Sequence, residues 1–289
     1  MIHTRRTDEF TSDNAVTTEL TRLCERIANT AREFVVSHKP PRAQVLDTKS
    51  TPTDVVTQMD RDVEALIRTL ISQARPDDAF LGEETGLHES TSGLTWVVDP
   101  IDGTVNYLYG LPGYAVSVAV VAGPPTPDKW QQIAGAVIRI SDGKLWSAGR
   151  GQGAFSDGKR LKVNEPHELG QCLTGTGFGY DPRLRFLQAQ VLTAVLPRVR
   201  DIRRNGAAAV ELCLVADGSL DLFFERGLSA WDMAAGALIV SEAGGLVSGM
   251  RGQNPSTDMT IAGFAPMVAS LTEILISQDA DAPIESVHF

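Results

Sequence analysis

Apolar residues recur first at steps of three and four along this chain, at Leu20, Leu23, Ile27, Ala31 and Phe34. That spacing lines one face of a 3.6-residue turn, so an amphipathic helix is expected over residues 13–37, ended by Pro40 and Pro41. Val63, Leu66, Ile67, Leu70 and Ile71 form a second stripe, which follows the segment 57–60 and stops before Pro76. Between the two, residues 49–54 read as loop. From Ala79 to Val163 the pattern changes to short apolar runs broken by Gly, Pro and Asp. Strands are expected there at 80–82, 95–98, 116–121, 133–140, 144–148 and 153–155, with hairpin turns at Ser141-Asp142-Gly143 and Ser156-Asp157-Gly158. Beyond Arg183, helices (184–196, 207–216, 231–243, 266–276) alternate with a strand at 220–224. No repeat, low-complexity stretch or linker intervenes. The expectation is an α/β layered fold forming one domain over residues 13–289, with two packed subdomains, 13–165 and 166–289, behind a flexible tail over 1–12.

Length and composition narrow the functional classes. A chain of 289 residues with 43% hydrophobic and 21% charged positions can bury one large core or two modest ones. The richest apolar stretch, 114–122, is bracketed by Gly and Pro and falls short of the roughly 18 to 20 residues a membrane span needs. Arg5 and Arg6 near the start are not followed by the apolar core of an export signal, so a soluble, cytoplasmic protein is expected. Cys24, Cys172 and Cys213 show no metal or redox spacing and read as reduced, buried thiols. A net charge of -10 argues against nucleic acid as a partner. It does not argue against a phosphate, because carboxylates that hold divalent cations present positive charge to the ligand.

Three acidic groups stand at the ends of apolar runs: Gly82-Glu83-Glu84, the tract Asp99-Pro100-Ile101-Asp102-Gly103-Thr104, and Trp231-Asp232. Trp96-Val97-Val98 reads as a buried strand that delivers Asp99 at its tip. Pro100 is expected to break the ladder and bring Asp102 back beside Asp99, where the two carboxylates can share a hard cation such as Mg2+. Gly103 and Thr104 then offer amides and a hydroxyl to a phosphate. The stretch from Gly153 to Arg160 nearly spells a P-loop but has Arg160 where a Ser or Thr is needed, and Leu161-Lys162-Val163 reads as strand, so a plain hairpin is expected. Glu84 is expected to point away from Glu83, as alternate residues of an extended segment do. Asp54 reads as a cap, and the five isolated histidines (His3, His38, His88, His167, His288) as surface residues. Arg203 and Arg204 are open to substrate, subunit or salt-bridge roles.

The tract from Asp99 to Tyr107, with Trp231-Asp232-Met-Ala-Ala-Gly downstream and Gly82-Glu83-Glu84 upstream, resembles the inositol monophosphatase family of lithium-sensitive, magnesium-dependent phosphatases, to which fructose-1,6-bisphosphatases are related. The resemblance runs from about residue 20 to 275. It implies the fold of that group, an α+β layered sandwich with helices between sheets, a homodimer, and two or three Mg2+ per active site. It implies that Glu83, Asp99 and the Ile101 carbonyl hold one cation and that Asp99, Asp102 and Asp232 hold another. Asp60 would orient Thr104; Glu83 and Thr104 would position the attacking water, and Asp232 would offer a proton route to the leaving oxygen. Gly103 and Thr104 amides would bind phosphate, Lys49 would lend charge, and Glu225 and Ala208 would meet substrate hydroxyls. The implied substrate is a small phosphorylated polyol or sugar, inositol monophosphate first. Fructose-1,6-bisphosphate, histidinol phosphate or a nucleotide 3'-phosphate are alternatives, and a non-catalytic binding or regulatory protein is a further one. Asn106-Tyr107 favours the inositol type over the nucleotide type. Ala207 and Ser229 depart from the Ser/Thr and His that relatives carry there, which touches substrate identity more than reaction type.

Overall fold

The computed structural model describes residues 14–40, 43–49, 51 and 53–286. The expected tail over residues 1–12, Asp13, Pro41, His3 and His288 therefore lie outside it. Helices α1 (Asn14–His38) and α2 (Gln58–Ala74) pack side by side and bury the stripes read from the sequence, Leu20, Leu23 and Ile27 on one and Val63, Ile67 and Ile71 on the other. A small hairpin, β1 (Val45–Thr48) and β2 (Val55–Thr57), lies between them in the chain. Thr57 caps α2 and pairs with Asp60 in a capping box, so the helix starts ahead of its apolar stripe and Asp60 sits in its first turn.

The two helices cover one face of an eight-stranded sheet. Its strands are β3 (Ala79–Gly82), β4 (Gly86–His88), β5 (Leu94–Asp102), β6 (Ala115–Ala122), β7 (Gln131–Arg139), β8 (Leu145–Gly149), β9 (Gly153–Ser156) and β10 (Lys159–Arg160). Their spatial order is β10-β9-β8-β7-β6-β5-β3-β4, antiparallel throughout except where β3 runs parallel to β5. Every residue of β5 is buried, which is why Trp96, Val97 and Val98 run apolar up to Asp99 instead of alternating. Pro100 does not end this strand. Asp99 pairs with Ser117 and Asp102 with Ala115, so one extra residue is accommodated as a bulge, and a proline without an N–H fits there. The strand expected at 161–163 does not form. The ladder stops at Arg160, and Val163 instead donates its N–H to the Ala243 carbonyl.

Between β5 and β6 lies a short helix that the apolar pattern does not announce, α3 (Thr104–Tyr109); glycines with left-handed backbone, Gly103 (φ 90) and Gly110 (φ 73), bound it on both sides. The second half of the chain supplies α4 (Pro182–Val195), α5 (Ala208–Ala216), α6 (Ala230–Glu242) and α7 (Ala265–Ser277). It also supplies a five-stranded sheet of β11 (Leu173–Thr176), β12 (Asp201–Arg203), β13 (Leu222–Glu225), β14 (Leu246–Ser248) and β15 (Thr260–Gly263), in the order β12-β11-β13-β15-β14.

Helices α5 and α6 are apolar all round because they lie between the two sheets, with Ala, Leu and Val buried on every side. Small residues let the layers close up: a Cβ on Gly135 of β7 would stand 3.0 Å from the Ala235 Cα. Helices α4 and α7 cover the outer face of the small sheet, packing Val191, Leu271 and Leu275 with Leu222 and Ile261. The result is an α/β layered sandwich of five layers with helices between sheets, as the sequence implied.

Candidate functional site

Asp99 and Asp102, on either side of the β5 bulge, meet Asp232 from α6. One carboxylate oxygen from each lies within 4.8 Å of the other two. Asp232 does not stand at the end of an apolar run as expected. The run before it ends in β13, the chain turns at Gly227 (φ 94), and Asp232 falls in the first turn of α6, where the Ser229 N–H donates to its Oδ2 at 2.6 Å. A helix N-terminus favours that negative charge. The N-terminus of α5 does the same for Asp102, whose two oxygens accept from the Ala208 N–H (3.2 Å) and the Ala209 N–H (2.7 Å). Asp99 accepts from the Ile101 N–H at 3.0 Å.

Glu83 approaches from the turn after β3. Lys49 Nζ lies 2.6 Å from Glu83 Oε1 and 2.6 Å from Glu84 Oε1, so the two carboxylates converge on one ammonium, and Glu84 does not point away. Both acids sit in a turn, where the strand alternation behind that expectation does not apply. Burial works against the Lys49 charge, but the two carboxylates outweigh it and its pKa rises.

Crowding shows in the acids themselves. Burial pushes Glu83 up to about 7, with Lys49 opposing and Asp232 adding to the rise. Burial and the charge of Asp102 bring Asp232 to about 7. Asp102 also reaches about 7 through burial, against the pull of its amide donors. Asp99 rises well above its ordinary value through burial and the charges of Glu83, Asp102 and Asp232. Each of the four acids disfavours ionisation of the others, a repulsion that a bound cation would relieve.

Beside them, the Thr104 hydroxyl donates to Asp60 Oδ1 (3.0 Å) and lies 3.1 Å from the Ile101 carbonyl. Asp60 is held in turn by the Thr57 N–H (2.8 Å) and the Thr57 hydroxyl (2.5 Å). Gly103 opens the first turn of α3, pressed so closely that a Cβ would stand 2.8 Å from the Gly113 carbonyl and 3.1 Å from that of Gly206. Glu225 ends β13 with its carboxyl against Gly177, where a Cβ would collide, and burial with neighbouring Glu211 and Asp232 raises its pKa well above the usual range. Ala208 is buried, and its N–H is engaged by Asp102.

Two further acids escape a reading of the sequence. Glu64 accepts from the Glu84 N–H (2.8 Å) through Oε2, and Glu211 accepts from the Asn205 N–H (2.5 Å) through Oε1. Each is 1% exposed. A signal exists for both: Glu64 falls on the buried face with Asp60, Val63 and Ile67, and Glu211 interrupts the otherwise apolar run Ala-Ala-Val-Glu-Leu-Cys-Leu. Tyr180, which no motif marks, has its phenol raised to about 12 by burial and by Asp54.

Other residues keep the plain roles expected of them. The P-loop-like stretch forms a hairpin, and the Gly151 and Gly153 N–H groups at its start are already taken by the Glu242 carboxylate at 2.7 and 2.8 Å. His38, His88 and His167 are exposed. Cys24, Cys172 and Cys213 are free and buried. Arg203, left open by the sequence between substrate, subunit and salt-bridge roles, pairs with Asp201 at 2.5 Å. No helix among the described residues is long and apolar enough to cross a membrane.

Comparison with known proteins identifies the family and the fold. The family model described as the inositol monophosphatase family matches residues 16–281. The chain is 42% identical over 248 residues to an inositol-1-monophosphatase SuhB of Mycobacterium tuberculosis, covering 83% of each. It is 38% identical over 224 residues to a Nus factor SuhB of Haemophilus influenzae, covering 77% of this chain and 82% of that one. Among solved structures, the extragenic suppressor protein SuhB of Bartonella henselae superposes with a TM-score of 0.81 at 34% identity, covering 89% of this chain and 98% of that one. An IMPase from Thermotoga maritima gives 0.81 at 26%, covering 90% and 98%.

Proposed function

Because the chain belongs to the inositol monophosphatase family, a family of phosphatases, we propose that it hydrolyses the phosphate monoester of a small polyol or sugar, inositol monophosphate first, with Mg2+ as its cation. The observation that carries this reading is the convergence of Asp99, Asp102 and Asp232 beside the Thr104–Asp60 pair.

The donor set fits a hard cation. It is made of carboxylate and carbonyl oxygens without His or Cys, and its acids are raised by burial and by one another's charge. Glu83, Asp99 and the Ile101 carbonyl would hold one ion, and Asp99, Asp102 and Asp232 a second. The chemistry supplied by ions held there is neutralisation of phosphoryl oxygens and acidification of a nearby water.

The chain's own groups do the rest. By donating its proton to Asp60, the Thr104 hydroxyl keeps a lone pair for the attacking water, which Glu83 flanks on its other side. Amides of Gly103 and Thr104 point at the phosphate. Asp232 holds a proton route for the leaving oxygen, Lys49 adds positive charge through Glu83, and Glu225 and the Ala208 segment meet substrate hydroxyls. Acids come from both halves of the chain, so we infer one domain over residues 13–289 that cannot split without dismantling the site. A homodimer in a reducing, cytoplasmic setting completes the reading, supported by exposed Tyr109 and Leu111 and by three free thiols; sedimentation checks the dimer.

Phosphate release on inositol monophosphate, fructose-1,6-bisphosphate, histidinol phosphate and a nucleotide 3'-phosphate, with and without Mg2+ and with added lithium, tests the proposal. Release that needs Mg2+, is greatest on the inositol ester and falls with lithium is expected. The name Nus factor carried by some relatives makes a binding role the second reading. Absence of release from every ester would move the assignment there.

A further inference from the structure

The segment 205–209 touches the site twice, and something must hold it in place. Its Ala208 and Ala209 N–H groups end on Asp102, and its Gly206 carbonyl backs Gly103. The Asn205 carbonyl accepts from Asn106 Nδ2 at 2.6 Å, and the same amide donates to the Gly113 carbonyl at 2.6 Å. Three stretches of chain, 103–106, 113 and 205–206, thus meet behind the phosphate cradle.

The helix that follows has Ala207 at its N-cap, where no side-chain oxygen is available. Glu211, four residues on, reaches back instead and takes the Asn205 N–H. Its second oxygen, Oε2, is buried and has no hydrogen-bond partner among the described residues. That oxygen lies over the Cα of Gly175 in β11, in the space a side chain there would fill. An acid kept at 1% exposure with half of its bonding capacity unused is costly, and α5 is otherwise uniformly apolar.

We propose that Glu211 is a positioning residue: it locks the segment 205–209, so that the amides facing Asp102 and the carbonyl behind Gly103 are fixed before cation and phosphate arrive. The inference rests on the phosphatase reading above, deepens it, and can fail separately from it.

The test uses the full chain as wild type, E211Q, E211M and G175A, with Mg2+ affinity by calorimetry, kcat and KM by phosphate release, and Tm in EDTA. Gln offers the same acceptor, so E211Q should stay within about threefold of wild type in both affinity and kcat/KM. Met has the length without the acceptor, and a Cβ at 175 displaces the carboxyl. Both variants should weaken Mg2+ about tenfold or more and lower kcat/KM by a similar factor, as outer partners of ligands do. Two outcomes overturn the proposal: E211M and G175A that lose Tm but keep wild-type affinity and kcat/KM, or E211Q that falls as far as E211M. Should E211M not fold, G175A against E211Q decides by the same comparison. Wild type that neither binds Mg2+ nor releases phosphate would instead overturn the phosphatase reading.

Discussion

Asp232 serves two purposes with one carboxyl, capping α6 through the Ser229 N–H and standing within 4.8 Å of the Asp99 and Asp102 ligand atoms. Asn at this position keeps a cap acceptor but loses the charge and the proton. D232N should therefore fold with its EDTA Tm unchanged or raised, since like charges are relieved, while turnover falls by roughly a thousandfold. Near-normal turnover would refute its place in the reaction. Gly103 poses a backbone question. Its φ of 90, and a Gly113 carbonyl that would stand 2.8 Å from an added Cβ, leave no room for alanine. G103A should cost about 2 kcal/mol in urea unfolding and raise KM, because the same peptide is the one proposed to bind the phosphate. The convergence of Asp99, Asp102 and Asp232, and the Thr104–Asp60 pair beside them, were legible through the motifs that carry the family resemblance. Glu64 and Glu211 were less so. Their meaning depends on which amide each reaches, Glu84 in one case and Asn205 in the other, and no local pattern encodes that.

Long helices announced themselves where one face met solvent, whereas the six-residue α3 was too short to show a period. The stripes of α1 and α2 gave boundaries within a few residues, and α5 and α6 were found by length and apolarity although their burial on all sides erased the period. Strands of three or four residues, such as β1, β4, β12 and β14, carry too few side chains to show alternation. The β5 bulge was hidden differently: Pro100 reads locally as a breaker, and only pairing with β6 on the neighbouring edge keeps the strand going through it. At the start of α2, the Thr57 hydroxyl both closes the capping box and fixes the carboxyl that orients Thr104. T57V preserves shape and removes that donor from a buried carboxylate. It should lower the unfolding free energy by about 2 kcal/mol and reduce kcat with little change in KM, as loss of a hydrogen bond to a charged group inside a relay would. A drop in stability with kcat intact would separate the cap from the relay.

Across the whole molecule, two sheets and the helices between them bring acids from both halves of the chain into one cleft, and the resulting repulsion links stability to pH and cation. Glu83, Asp102 and Asp232 are pushed to about 7, and Asp99 is raised well above its ordinary value, whereas unfolded carboxyls titrate near about 4. Between about pH 4 and 7 the folded chain therefore holds protons that the unfolded chain has released. Stability falls as pH rises through that window, the reverse of a salt-bridged carboxylate. Asp60, Glu211 and Glu225 are raised as well and contribute the same slope. Burial leads each of these three shifts and does not depend on the cation, so that share persists whether or not Mg2+ is present. Thermal unfolding from about pH 5 to 8 should show Tm falling in EDTA and a shallower fall, or a rise, with millimolar Mg2+. The gap between the two curves should widen toward the alkaline end, because cation binding requires the ionised acids and releases their protons. In D232N the gap should shrink across the whole range, since one of the charges that the cation compensates has been removed. Parallel curves for wild type in EDTA and Mg2+ would mean that the four acids do not titrate against a bound cation, however close together the fold places them.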